Sequence, residues 1–102
     1  FSLRVLKLEE IIAEKIHSIF NRKQARDLYD LFFLFRISKF DKKLVEEKLK
    51  IFNLEFNLKK FEDTIDDLKL PWEKELRPFV LEELPDFTIV EDFVLDNIKK
   101  SL

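Results

Sequence analysis

Residues 8–37 read LEEIIAEKIHSIFNRKQARDLYDLFFLFRI, and this stretch carries most of the information about the fold. Its first half repeats apolar residues at the i, i+3, i+4 and i+7 spacing of a half-buried helix, with Asn21 as the stop. Its second half predicts a helix over residues 24–37 that is apolar on two opposite faces, which is typical of a central element. If the chain turns near residues 21–23, the two helices form an antiparallel hairpin.

The rest of the chain predicts three further helices. Asp41 and Asn57 are candidate N-caps of the third and fourth, because their side chains accept hydrogen bonds from free backbone N–H groups. The last helix opens with Thr88 and Glu91 in the spacing of a capping box. Three prolines interrupt a less regular connection before it. Residues 1–7 alternate apolar and polar as in a short strand, which has no partner in this sequence.

These patterns predict an all-α bundle of about five helices in a single domain, residues 1–102. The length is that of one domain, and 12 phenylalanines provide a sizeable core. The chain starts at Phe1 and contains no Met, so we expect it to be a piece of a longer protein. The lone strand would then belong to a sheet in the missing part.

Composition excludes several classes of function. The absence of Gly excludes glycine-rich phosphate loops, and the absence of Cys excludes thiol catalysis and thiolate zinc sites. The net charge of −2 is not that of a general nucleic-acid binder, although residues 1–40 carry eight Lys/Arg against five Asp/Glu. No apolar run approaches the roughly 20 residues of a membrane span. A chain free of thiols fits the cytoplasm.

Lys15 interrupts the apolar stripe of the first helix, four residues after Ile11 and four before Ile19. One interpretation is that its stem lies on the core while its ammonium reaches water. The other is that the charge is buried, and a buried charge needs a partner of opposite sign. That partner would be a carboxylate or a phosphate oxygen.

The second helix contains a similar break at Asp30, whose face continues through apolar residues. Arg26 lies four residues before Asp30, in the spacing of an ion pair, and Asp27 lies three before it. Two hypotheses follow. In one, a structural ion pair holds the two helices in register. In the other, Lys15, Arg22 and Arg26 surround the phosphates of a nucleotide or nucleic acid, and the carboxylates orient them or assist proton transfer.

The motif in these two helices resembles the AbiEii/AbiGii toxin family of nucleotidyltransferases. Residues 10–22, EIIAEKIHSIFNR, and residues 25–31, ARDLYDL, carry the resemblance. The later motifs of this family place an Arg seven residues after a Lys, followed by Arg-Asp-x-x-Asp. In this sequence they are Lys15, Arg22, Arg26, Asp27 and Asp30. Residues 84–93, LPDFTIVEDF, are similar to the closing helix of the family.

The resemblance implies the C-terminal helical domain of a DNA polymerase β-like nucleotidyltransferase. In that role Lys15 would contact the nucleoside triphosphate, and Asp27 or Asp30 would support catalysis. The parent protein would use Mg²⁺. Expected partners are the missing N-terminal nucleotidyltransferase domain, an antitoxin and an RNA acceptor, since some relatives extend tRNA 3′ ends.

The sequence departs from the family in lacking its Gly-Ser loop and its metal-binding Asp-x-Asp. We therefore expect this piece to bind no metal or nucleotide cofactor and to be inactive alone, even if its parent is an enzyme. The alternative is a non-catalytic interaction module in which Lys15–Asp30 is a structural ion pair. A weaker alternative is a nucleic-acid-binding domain that uses the basic hairpin.

Overall fold

The computed structural model describes residues 7–79 and 83–102, and these residues form an all-α bundle. Six α-helices and one short 3-10 turn, Arg77–Phe79, make up its regular structure. The helices are α1 Leu8–Arg22, α2 Ala25–Ile37, α3 Lys42–Ile51, α4 Leu58–Asp66, α5 Pro71–Leu76 and α6 Phe87–Lys99. The predicted fold class is confirmed. The strand predicted over residues 1–7 falls almost wholly outside the described residues.

The first two helices form the predicted antiparallel hairpin, joined by Lys23 and Gln24. Lys23 ends α1 in the left-handed region, with φ 52° and ψ 49°, and its N–H donates to the carbonyl of Ile19. Glycine normally fills this position because it lacks a Cβ. In this glycine-free chain a lysine adopts the conformation, at a cost of about 1 kcal/mol.

Side-chain caps start three of the later helices. Asp41 accepts a hydrogen bond from the N–H of Leu44, and Asn57 caps α4 in the same way, so both predictions are confirmed. The capping box predicted at Thr88 is wrong, because α6 begins two residues earlier than a helix capped by Thr88 would. Its N-cap is Asp86, which accepts from the N–H of Thr88 at 2.9 Å.

The core lies on one side of α2, and this differs from the prediction that α2 is surrounded. The first apolar face is buried as expected, through Leu28, Leu31, Phe32 and Phe35. On the opposite face Phe33 is 41% exposed and Ile37 is 67% exposed. The described helices pack α2 from the core side and leave this face largely open.

The proline-rich connection contains a short helix that the sequence did not predict. Pro71 occupies the first turn of α5, where its missing N–H costs nothing. Trp72 is buried, and its Nε1 donates to the carbonyl of Pro85 at 3.0 Å. The indole also lies against Tyr29, with ring centroids 6.1 Å apart. The result is that α5 packs beside the N-terminal half of α2.

Across residues 7–79 and 83–102, none of the helices combines the length and apolar character needed to cross a bilayer.

Candidate functional site

Four charged side chains form a continuous network between α1 and α2. The ammonium of Lys15 lies 2.8 Å from Asp30 Oδ2 and 3.7 Å from Asp27 Oδ1. Arg22 Nη2 donates to both carboxylate oxygens of Asp27, at 3.1 and 3.3 Å. The prediction that Lys15 meets negative charge from the second helix is thereby confirmed. We call Arg22, Asp27, Lys15 and Asp30 the charged quartet.

The quartet changes from buried to exposed along its length. The side chain of Asp27 is 2% exposed, while those of Lys15 and Asp30 are each about one third exposed and that of Arg22 about half. Asp27 lies in the first turn of α2, where the positive end of the helix dipole also stabilises a carboxylate. Asp27 is therefore a fixed anchor, and the Lys15–Asp30 end can meet a ligand.

Arg26 is not part of the quartet and lines an adjoining cleft. Within the described part of the chain it has no carboxylate within 4 Å, so the i, i+4 pair with Asp30 is absent there. The cleft lies between α2 and α5 and encloses about 760 Å³, a volume in the usual range of ligand sites. It is lined by Gln24, Arg26, Tyr29, Asp30, Lys74, Glu75, Leu76 and Pro78. Asp30 belongs to both the quartet and the cleft, so it connects the cleft with Lys15, whose ammonium lies 2.8 Å from its carboxylate.

The family model for the AbiEii nucleotidyl transferase toxin of type IV toxin–antitoxin systems matches residues 1–94. The chain belongs to the AbiEii family. No curated protein and no solved structure matches it. Membership confirms the resemblance carried by residues 10–31, and it connects the chain with a nucleotidyltransferase-like toxin role. The roles assigned to the quartet and to Arg26 stay predictions.

The carboxylates of the quartet do not fit a metal site of an AbiEii enzyme. Asp27 and Asp30 are both engaged by cations, which compete with a metal ion for the same oxygens. Among the residues that the structure describes, no group of three or more His, Cys, Asp or Glu side chains could hold a metal.

A second polar cluster, which the sequence analysis missed, involves Glu91 of α6 and Asp66 at the end of α4. Burial raises the pKa of Glu91 to about 7, helped by a hydrogen bond with Asp66 and the nearby negative charges of Asp66, Asp92 and Glu62. Its Oε2 is buried with no hydrogen-bond partner among the described residues. The pattern that marked Lys15 also marks this residue, because Glu91 lies four after one buried apolar position and three before another.

Proposed function

We propose that this chain supplies the phosphate-positioning half of a nucleotidyltransferase active site, completed by a catalytic domain elsewhere in the parent protein. The observation that carries the proposal is the position of Lys15. Its ammonium is held between two carboxylates, its side chain remains 29% exposed, and its nearer partner, Asp30, lines the cleft together with Arg26. The AbiEii membership of the chain supports this assignment.

The proposed mechanism is electrostatic positioning. The quartet contains two cations and two carboxylates, and the cleft adds Arg26 and Lys74 against Glu75, which leaves one excess positive charge at this face. Phosphoryl transfer needs positive groups placed in advance around the donor phosphates. In the proposal Lys15 and Arg26 bind the triphosphate, and Asp27 holds Lys15 and Arg22 in place. The acceptor hydroxyl attacks the α-phosphate, the more exposed Asp30 accepts its proton, and pyrophosphate leaves.

The cleft suits a nucleic-acid acceptor as the second substrate. Tyr29 offers an aromatic ring and Lys74 offers a cation, the combination that binds single-stranded nucleic acid. We therefore propose an RNA acceptor such as a tRNA 3′ end. We further propose that the reaction uses Mg²⁺ and a nucleoside triphosphate and takes place in the cytoplasm. The proposed protein partner is an antitoxin that binds the toxin.

The alternative function is a non-catalytic interaction module. The balanced charge of the quartet favours it, because every member already has a partner of opposite sign. In that case the network only holds α1 and α2 in register, and its loss affects stability alone.

Replacement of Lys15 by Met in the full-length parent protein separates the two functions. A matched control exists in Lys48, whose side chain is 32% exposed and pairs across helices with Glu14 at 3.2 Å. We expect Lys15→Met to reduce transfer of labelled nucleotide about 100-fold, as for loss of one transition-state contact. Lys48→Met should leave transfer unchanged and lower the melting temperature slightly, because it removes an exposed ion pair. Unchanged transfer in Lys15→Met would leave the interaction module as the function.

A further inference from the structure

The helix that carries Asp27 starts without a cap of its own. Gln24 occupies the N-cap position in an extended conformation, and its side chain makes no capping hydrogen bond. Ala25, the first helical residue, is completely buried. Its N–H has no acceptor within the helix and, being buried, needs a partner from elsewhere.

Glu75 of α5 provides that partner. Its Oε2 accepts the hydrogen bond of the Ala25 N–H at 3.1 Å, across 50 residues of sequence. The carboxylate also lies at the positive end of the α2 dipole. The donor is buried and the acceptor is charged, so this one bond holds the first turn of α2 in place.

The first turn of α2 is also the turn that orients the quartet. Asp27 follows Ala25 by two residues, and its own N–H donates to the carbonyl of Gln24 at 3.1 Å. Any rotation of this turn therefore moves the buried carboxylate that Arg22 and Lys15 share. Glu75 is thus linked to the quartet through the backbone.

The position of Glu75 is itself fixed by the packing of α5. Trp72 and Leu76 on the same helix are buried, so the helix has one orientation on the bundle. Glu73, two residues earlier, faces solvent and pairs only with Arg77 among the described residues. Two glutamates of one short helix therefore differ in whether they contact α2.

We propose that Glu75 is a positioning residue of the phosphate site, which acts by fixing the first turn of α2 and through it Asp27 and Lys15. Although Glu75 lines the cleft, its carboxylate is engaged by the Ala25 N–H, so it acts through α2 and not as a ligand of the substrate. The role in transfer rests on the proposed function, whereas the coupling between Glu75 and Lys15 is a property of this chain alone.

The first experiment measures that coupling in the 102-residue chain. Melting temperatures are compared for Lys15→Met in the wild-type, Glu75→Ala and Glu73→Ala backgrounds. If Glu75 positions the quartet, the decrease in melting temperature caused by Lys15→Met should be about half as large in the Glu75→Ala background as in the wild type. In the Glu73→Ala background it should equal the wild-type decrease, since only linked residues are non-additive. Equal drops in all three backgrounds would overturn the proposal. If Glu75→Ala does not fold, Glu75→Asp, which retracts the carboxylate by one methylene, replaces it in the same comparison.

Amide hydrogen exchange and rescue provide the second readout. The Ala25 amide should exchange at least about tenfold faster in Glu75→Ala, and Glu75→Gln should restore protection because its amide oxygen also accepts. Protection that is equal in Glu75→Ala and wild type would show that another group holds this N–H and would contradict the proposal.

Nucleotide transfer by the full-length parent completes the test. We expect kcat to fall about tenfold in Glu75→Ala, to recover within about twofold in Glu75→Gln and to be unchanged in Glu73→Ala. If Lys15 and Glu75 are coupled in the 102-residue chain but the wild-type parent transfers no nucleotide, the proposed function is refuted. The inference that Glu75 positions Asp27 would still hold. Transfer that requires Lys15 and is unaffected by Glu75→Ala would refute the catalytic part of the positioning role.

Discussion

Asp27 is shared by two cations, so removing both should destabilise the chain by more than the sum of the single removals. The perturbations are Lys15→Met and Arg22→Met, alone and combined. Each single variant leaves the buried carboxylate with one cation, at 3.7 Å in Arg22→Met and 3.1 Å in Lys15→Met. The double variant leaves it with neither.

The expected magnitudes follow from exposure. Lys15→Met removes a pair with the one-third-exposed Asp30, worth about 0.2–1 kcal/mol, and a longer contact with Asp27, for a total of about 1–2 kcal/mol. Arg22→Met removes a charge-assisted hydrogen bond from a half-exposed guanidinium, also about 1–2 kcal/mol. An unpaired buried carboxylate costs about 3–5 kcal/mol, so the double variant should exceed the sum by about 1 kcal/mol.

Urea unfolding followed by circular dichroism at 222 nm measures these free energies of unfolding. Arg22→Met combined with Lys48→Met is the control, and it should be additive because Lys48 belongs to another ion pair. Asp27→Asn introduced into the Lys15/Arg22 double variant should recover at least about half of the loss, because a neutral amide needs no cation. If the losses of unfolding free energy in Lys15→Met and Arg22→Met simply add in the double variant, the idea that the two cations jointly neutralise Asp27 is refuted.

Three further predictions concern other elements. The pKa of Glu91 is raised from 4.5 to about 7, so its contribution to stability is complete below about pH 4.5 and is lost as the pH rises through 7. Glu91→Gln should reduce this pH-dependent loss of the free energy of unfolding by about 1–2 kcal/mol after allowance for solvent screening. If the free energies of unfolding of variant and wild type change in parallel from pH 4 to 8, the prediction is contradicted. Lys23→Gly should stabilise the chain by about 0.5–1 kcal/mol in thermal unfolding, because glycine tolerates positive φ. Asn53→Gly should give a smaller gain, since asparagine already tolerates the φ of 57° at that position. Equal gains from the two substitutions would argue against relief of strain. Trp72→Phe should cost about 1 kcal/mol or more in urea unfolding through loss of the bond to Pro85 and of indole packing, and no loss would mean that the connection repacks.

Lys15 and Glu91 are both charged residues within the apolar stripe of a helix, but the sequence pattern predicted only Lys15 as a site residue. Lys15 was recognisable because a cation within an apolar stripe breaks a rule that depends only on helical period. Glu91 breaks the same rule, but its capping-box spacing with Thr88 offered a competing local explanation. The structure removes that explanation, since Asp86 caps the helix and leaves Glu91 facing Asp66.

Local patterns in the chain were sufficient to predict the helical hairpin, the caps at Asp41 and Asn57, and Asp30 as one of the candidate partners of Lys15. Each depends on residues a few positions apart or on two helices joined by a short turn. Packing between distant segments set the rest. The open side of α2 and the bond from Ala25 to Glu75 depend on where α5 and α6 pack, and no local period encodes a contact across 50 residues.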